Sequence, residues 1–160
     1  MYWAASQASP LRRLVVEGNL DLYQYFPPYP NAGYASGGYM SDSTVTGTIT
    51  SGSQQQYFFR NTDIGVWSGG VWNMVFVGNK NAPASHCGLQ GGNPATTVDE
   101  TPVIVEKPYV VSNGNNGYSL MIPRLEKNKV GATAGYDNAD EVPFDQVFVA
   151  KETDTAETIN

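Results

Sequence analysis

The sequence predicts an all-β chain folded as a right-handed parallel β-helix, a single-stranded solenoid of which these residues form a partial stretch. Three observations carry that expectation. Helical patterning is nearly absent, because Gly or Pro interrupts every candidate 3.6-residue apolar period. Short apolar runs rich in Val, Ile, Thr and Tyr recur between Gly- and Asn-rich turns. Finally, Ser41-Asp42-Ser43-Thr44-Val45 is echoed by Arg60-Asn61-Thr62-Asp63-Ile64, 19 residues later, and each segment precedes a glycine, Gly47 or Gly65. A period near 20 residues with one apolar strand and one Gly or Asn corner is the pattern of stacked β-coils, each burying its inner face on the next.

Taken in order, Leu11 to Tyr23 holds Leu14, Val15, Val16, Leu20 and Leu22 around a bend at Gly18-Asn19. Tyr39 to Thr50 alternates around Val45 and Ile49, and Tyr57 to Ile64 and Val71 to Val77 follow. Leu14, Val45, Ile64 and Val77 are expected to lie over one another as layers of the coil. Val103 to Val111 and Tyr118 to Leu125 read as a β-hairpin near 103–125, its tip at Ser112 to Gly117. Residues 24–36, rich in Pro and Tyr, and 79–98, rich in Gly, Pro and Asn, read as long loops. Phe144 to Val149 is a last strand. Asp154 with Glu157 makes a capping-box pattern that opens a helix. The expected organisation is therefore a β-helix segment over 1–150 and the start of a truncated helix or linker over 151–160. An antiparallel β-sandwich also suits strands spaced by turns; the echo favours the solenoid.

The composition bounds the function. The chain has 160 residues, 41% hydrophobic and 15% charged, with ten tyrosines. Average chains carry about 25% charged residues. This low-charge, Tyr- and Gly-rich mixture is that of an extracellular β protein. A net charge of −6 repels a phosphate backbone, so nucleic acid is set aside. No apolar run reaches the length of a membrane span. Met1-Tyr2-Trp3 lacks the basic start of an export signal, so a truncated, secreted slice is expected. Uncapped coil edges would then favour self-association. Cys87 is the single cysteine, beside the single histidine, His86; adjacent side chains diverge, and a plain loop position is expected rather than a nucleophile and its base. Asp137, Asn138, Asp140 and Glu141 cluster without the spacing of a calcium loop, and neither metal nor cofactor is predicted.

Several stretches resemble a known group of proteins. They are 3–13, 36–43, Ser51-Gly52-Ser53-Gln54-Gln55-Gln56-Tyr57-Phe58-Phe59-Arg60-Asn61, Val71-Trp72-Asn73-Met74-Val75-Phe76-Val77-Gly78, and 101–109. The Gln run followed by Arg-Asn is the most specific. Together they resemble large secreted bacterial and fungal proteins with a pectate-lyase-like β-helix, often labelled coagulation factor five/eight type domain proteins or adenylyl-cyclase-like. The resemblance implies an internal slice with further β-helix before Met1 and after Asp154. The loops 23–34 and 85–94 depart from it. A cyclase activity finds no phosphate cradle or metal-carboxylate pair here.

A pectate-lyase-like helix implies action on a polysaccharide, since coils about 4.8 Å apart match the rise of a glycan chain. Cleavage of a glycoside needs two carboxylates. Asp42 and Asp63 lie in the echoing segments and are the candidate catalytic pair, with Arg60 beside them; the alternative is that they hold corners together with Asn61. Gln54, Gln55, Gln56 and Asn61 are candidate sugar-binding groups, or else an internal hydrogen-bond ladder. Trp67, Trp72 and Asn73 complete the candidates, because an indole can stack on a sugar face. A Trp closing the end of the core is the alternative, more for Trp72 than for Trp67. Glu106-Lys107 reads as an exposed ion pair. Three functions remain open: a glycoside hydrolase or polysaccharide lyase, a carbohydrate-binding or cell-surface module, and a fibre subunit that stacks coil on coil.

Overall fold

The structure, a computed structural model, describes residues 1–5, 9–24, 33, 35–70, 72–88, 94–114 and 117–159. Most of the expected Pro- and Tyr-rich loop at 24–36, the centre of the second loop, Val71, and the hairpin residues Asn115 and Asn116 lie outside the described residues. The chain divides into two units, Met1–Ile104 with Glu126–Ala134, and Val105–Leu125 with Gly135–Asn160.

In the first unit, β1 (Leu11–Arg12), β4 (Gly38–Ser41), β6 (Gln56–Arg60), β8 (Asn73–Val77) and β9 (Ala95–Val98) form one five-stranded sheet in the order β1-β4-β6-β8-β9. Every pair in it is parallel. A second parallel sheet takes β2 (Val15–Val16), β5 (Thr44–Thr50), β3 (Leu20–Asp21) and β7 (Asp63–Ser68). Period-two alternation decides what each buries. Along β6, Tyr57 and Phe59 are buried while Gln56, Phe58 and Arg60 turn outward; β8 repeats this with Met74 and Phe76 against Asn73, Val75 and Val77. The inner rows stack in register, Leu11-Met40-Phe59-Phe76 on the first sheet and Val16-Val45-Ile64 on the second. Trp67 joins the sheets, meeting Phe59 and Phe76 edge-on at 5.3 and 5.1 Å.

The chain passes from one sheet to the other through a single left-handed residue in each tier: Arg13, Asp42, Asn61 and Gly78, with φ of 53, 47, 48 and 61°. Asn and Asp tolerate this conformation better than most residues, which explains two of the four choices. The unit is completed by β10 (Thr101–Ile104) paired antiparallel with β13 (Glu126–Lys129).

The expected right-handed parallel β-helix is overturned. The described residues form separate small sheets that do not close into a solenoid. The echo itself is met in the pairing, Ser41 with Arg60 in the first sheet and Thr44 with Asp63 and Val45 with Ile64 in the second. Val77 belongs to the other sheet, between Arg60 and Val98, and Leu14 lies outside any strand. The left-handed corners are the physical reason. Apolar residues expected in one column fall on opposite sides of these corners, Val45 after Asp42 and Val77 before Gly78, and from Thr101 onward the pairing is antiparallel. The β-sandwich alternative fails for the first unit too, because its two larger sheets are parallel throughout.

The second unit is an antiparallel sheet of β11 (Tyr109–Ser112), β12 (Tyr118–Pro123) and β14 (Ala139–Pro143), in that order. At the turn between β11 and β12, the Asn113 N–H donates to the Gly117 carbonyl at 3.1 Å, and the Asn113 side-chain oxygen accepts from the Gly117 N–H at 3.2 Å. A 3₁₀ turn at Phe144–Gln146 follows, then α1 (Ala156–Ile159). The Asp154 carboxylate accepts from the Lys151 N–H at 2.6 Å.

Candidate functional site

The outward face of the five-stranded sheet carries a cleft of about 660 Å³. Register builds its floor. Tyr39, Phe58 and Val75 stand side by side on β4, β6 and β8, and the Tyr39 and Phe58 rings lie 5.4 Å apart. Gln56 and Asn73, paired across β6 and β8, place two exposed amides along one side of that row. Arg12 stands on the other side, its guanidinium 4.5 Å from the Tyr39 ring centroid and donating to the Ser41 hydroxyl at 3.0 Å. Arg60 approaches the same ring at 5.7 Å. Ser9, Pro10, Ser36, Gly37 and Gly38 close one end. An apolar strip flanked by amide and guanidinium groups matches a pyranose, which has a C–H face and a rim of hydroxyls.

The sequence-derived candidates separate by their place in the fold. Gln56, Asn73 and Arg60 turn to the outward face of this sheet, the first two as walls of the cleft. Gln54 and Asn61 are buried and hold the backbone. Gln54 accepts from the Gly37 N–H at 2.8 Å and donates to the Leu22 carbonyl at 2.7 Å. Asn61 donates to the Gly78 and Lys129 carbonyls at 3.3 and 3.0 Å and accepts from the Thr101 hydroxyl at 3.0 Å. Gln55 offers its carbonyl to the Trp72 and Asn73 N–H groups at 3.1 and 3.2 Å.

Asp42 and Asp63 serve the same return of chain. The Asp42 side chain, 1% exposed, is paired with Arg13 and, at 3.4 Å, with Lys129. It also accepts from the Thr133 N–H at 2.7 Å. Asp63 accepts from the neighbouring Ala132 N–H at 2.8 Å and pairs with Lys80 at 2.9 Å. Consecutive amides of the segment after β13 are thus held by the two carboxylates. This geometry favours the corner-holding alternative, and neither acid lines the cleft.

The tryptophans exchange places relative to expectation. Trp67 packs into the core and donates to the Gly69 carbonyl at 3.0 Å. Trp72, before β8, is 64% exposed. The register pairs Trp67 with buried Ile49, which fixes its inward direction.

Arg12, Tyr39 and Phe58 were not among the residues singled out for the site. A signal for them exists. Once Gln56 points outward, alternation sends Phe58 and Arg60 the same way, and Tyr39 precedes Phe58 by the interval of the echo.

The chain matches no family model. It is 40% identical over 160 residues to a protein named exo-beta-1,3-glucanase from Streptomyces sp. (strain SirexAA-E / ActE), spanning 99% of this chain and 25% of that protein. The structure of sacteLam55A from Streptomyces sp. SirexAA-E superposes with a TM-score of 0.84 at 39% identity, over 99% of this chain and 28% of that one. A variant of sacteLam55A in complex with glucose also gives 0.84, at 40% identity, over 99% and 27%. The chain therefore spans about a quarter of the length of the relatives it matches.

Proposed function

We propose that this chain is part of a carbohydrate-active glycoside hydrolase acting on a β-1,3-glucan, and that its share of the work is to bind the sugar. The observation that carries the reading is the cleft in which Tyr39, Phe58 and Val75 make an apolar strip beside the amides of Gln56 and Asn73. The exo-beta-1,3-glucanase relative, matched along nearly the whole chain, supplies the substrate class. A glucan has no charge, so stacking and hydrogen bonding suit it better than ion pairing would. None of the described residues lining the cleft is Asp or Glu. The acid and base that cleavage requires are therefore not assigned to this cleft. A polymeric substrate of this kind is met outside the cell, consistent with an exported protein.

Titration of the chain with β-1,3-linked glucose oligomers by calorimetry tests the proposal. Saturable binding, weakened about fivefold or more by Gln56→Ala or Asn73→Ala, is expected from the loss of one well-made hydrogen bond. Cellulose-type β-1,4 oligomers serve as the control. Equal affinity for both linkages, or none for either, would remove the reading.

A further inference from the structure

A second concavity lies in the hairpin unit, where the glucan reading assigns nothing. It encloses about 450 Å³ and is lined by Asn113, Gly117, Tyr118, Pro143, Phe144 and Asp145. The sequence builds it locally. Tyr118 opens β12 opposite Ser112; alternation buries its neighbour Ser119 and turns the Tyr118 ring outward, where the residue is 54% exposed. Pro143 ends β14, and the 3₁₀ turn that follows brings the Phe144 ring against Tyr118, with centroids 6.2 Å apart and planes at 63°. An edge-to-face pair covers at most one face of one ring, so the half-exposed Tyr118 keeps aromatic surface toward solvent. The same turn places the exposed Asp145 on the groove. None of the described lining residues is Lys or Arg, so no cation of the groove neutralises that carboxylate.

We infer that this groove is a second, weaker sugar site, which seats one glucosyl unit with its C–H face on Tyr118 and its free hydroxyls on Asp145. The inference rests on the glucan reading above and adds a contact outside the cleft. In a β-1,3-linked chain the 4- and 6-hydroxyls of each unit stay free on one edge of the ring, and a carboxylate accepts both with its two oxygens. The groove is smaller than the cleft and has fewer polar lining groups, so it binds less tightly. A polysaccharide repeats one unit many times, so a site for a single unit meets many copies of its ligand on each polymer. An ammonium group also suits a ring beside a carboxylate. Its binding is screened by salt, whereas that of a neutral sugar is not.

The full 160-residue chain and its variants Tyr118→Ala, Asp145→Ala and Gln56→Ala would each be titrated with a β-1,3-linked glucose trisaccharide and followed by amide NMR. Gly114 and Gly117 report on the groove, Gly38 and Phe58 on the cleft. In the parent both sets should shift, the groove set at the higher sugar concentration. Tyr118→Ala should weaken the groove response about fivefold and Asp145→Ala about tenfold. Both should leave the cleft response and the melting temperature unchanged, because both side chains are exposed. Gln56→Ala should do the reverse. If only the cleft amides respond, the inference falls with the glucan reading intact. A cationic glucosamine trimer is the control: tighter binding to the groove than the glucose trisaccharide shows, lost in about 1 M salt, would make the groove a cation site and overturn the inference. If neither set responds to the glucose trisaccharide, the glucan reading falls and takes the inference with it.

Discussion

Asp42 occupies a position where two demands meet. The backbone there is left-handed, which a short polar side chain tolerates, and its carboxylate faces two cations and an amide in a buried place. Asn in its stead would keep the backbone and the shape while removing the charge. Lys129, itself buried, would then keep the counter-charge of Glu126, at 2.5 Å. Removing one partner of a buried ion pair costs about 3–5 kcal/mol, mainly through the charge left behind. Asp42→Asn is expected to lose about 3 kcal/mol by urea denaturation. Asp63→Asn should lose no more than about 1 kcal/mol, because its pair with Lys80 is exposed to solvent. Equal losses would mean that burial does not set the strength of these pairs. Asn61 makes a third case, neutral but fully hydrogen-bonded, so Asn61→Ala should cost about 2–3 kcal/mol from a strained φ and unmet backbone carbonyls.

At the scale of the element, the glycines that close the two echoing segments have a shared cause. A Cβ on Gly47 would lie 2.6 Å from the Gly18 carbonyl oxygen, and one on Gly65 would lie 2.6 Å from the Thr46 carbonyl oxygen and strike that of Gly47. Successive tiers approach too closely for any side chain between them, and the obstacle is backbone, which cannot swing aside. Gly65→Ala is therefore expected to cost about 2–3 kcal/mol, the upper part of the overpacking range, and a smaller loss would show that β7 can slide along β5. The echo was legible in the sequence because this steric rule repeats. The alternation along β6 and β8 was legible for the same kind of reason, as period two follows from the pleat. The sheet to which a strand belongs was not. Val45 and Val77 each stand within two residues of a following glycine, Gly47 or Gly78, but the left-handed corner at Asp42 precedes one and the corner at Gly78 follows the other. The cleft was half legible. Gln56 and Asn73 stood out as amides, whereas Arg12, Tyr39 and Phe58 become a site only through register across strands distant in sequence. In the second unit, the hydrogen bond from Arg124 holds the Asp140 carboxyl below its usual range. A depressed pKa adds stability that is present above the ordinary carboxylate range and fades as acid protonates the folded group. Both side chains are in solvent, so 1 M salt should erase that pH dependence in the hairpin sheet, read from amide exchange along β12 and β14.

Across the whole molecule, the distribution of core decides what each unit can do alone. Every member of the main hydrophobic cluster, from Leu11 to Ala95, lies in the first unit, as does every residue lining the cleft. The chain leaves that unit after Ile104 and re-enters at Glu126, and these two residues are paired across β10 and β13. Antiparallel partners sit about 5 Å apart, so a four-residue Gly/Ser turn can join them without strain. A shortened chain that carries this turn in place of 105–125, and ends at Ala134, retains the ion pairs of Asp42 and the stacked row from Leu11 to Phe76. It should unfold in one cooperative transition, preserve the near-ultraviolet signal of Trp67 against Phe59 and Phe76, and bind glucose oligomers within about twofold of the full chain, because the cleft loses none of its lining. Unfolding of the shortened chain would instead place part of the first unit's stability in the antiparallel hairpin sheet, although none of its described residues belongs to the main cluster.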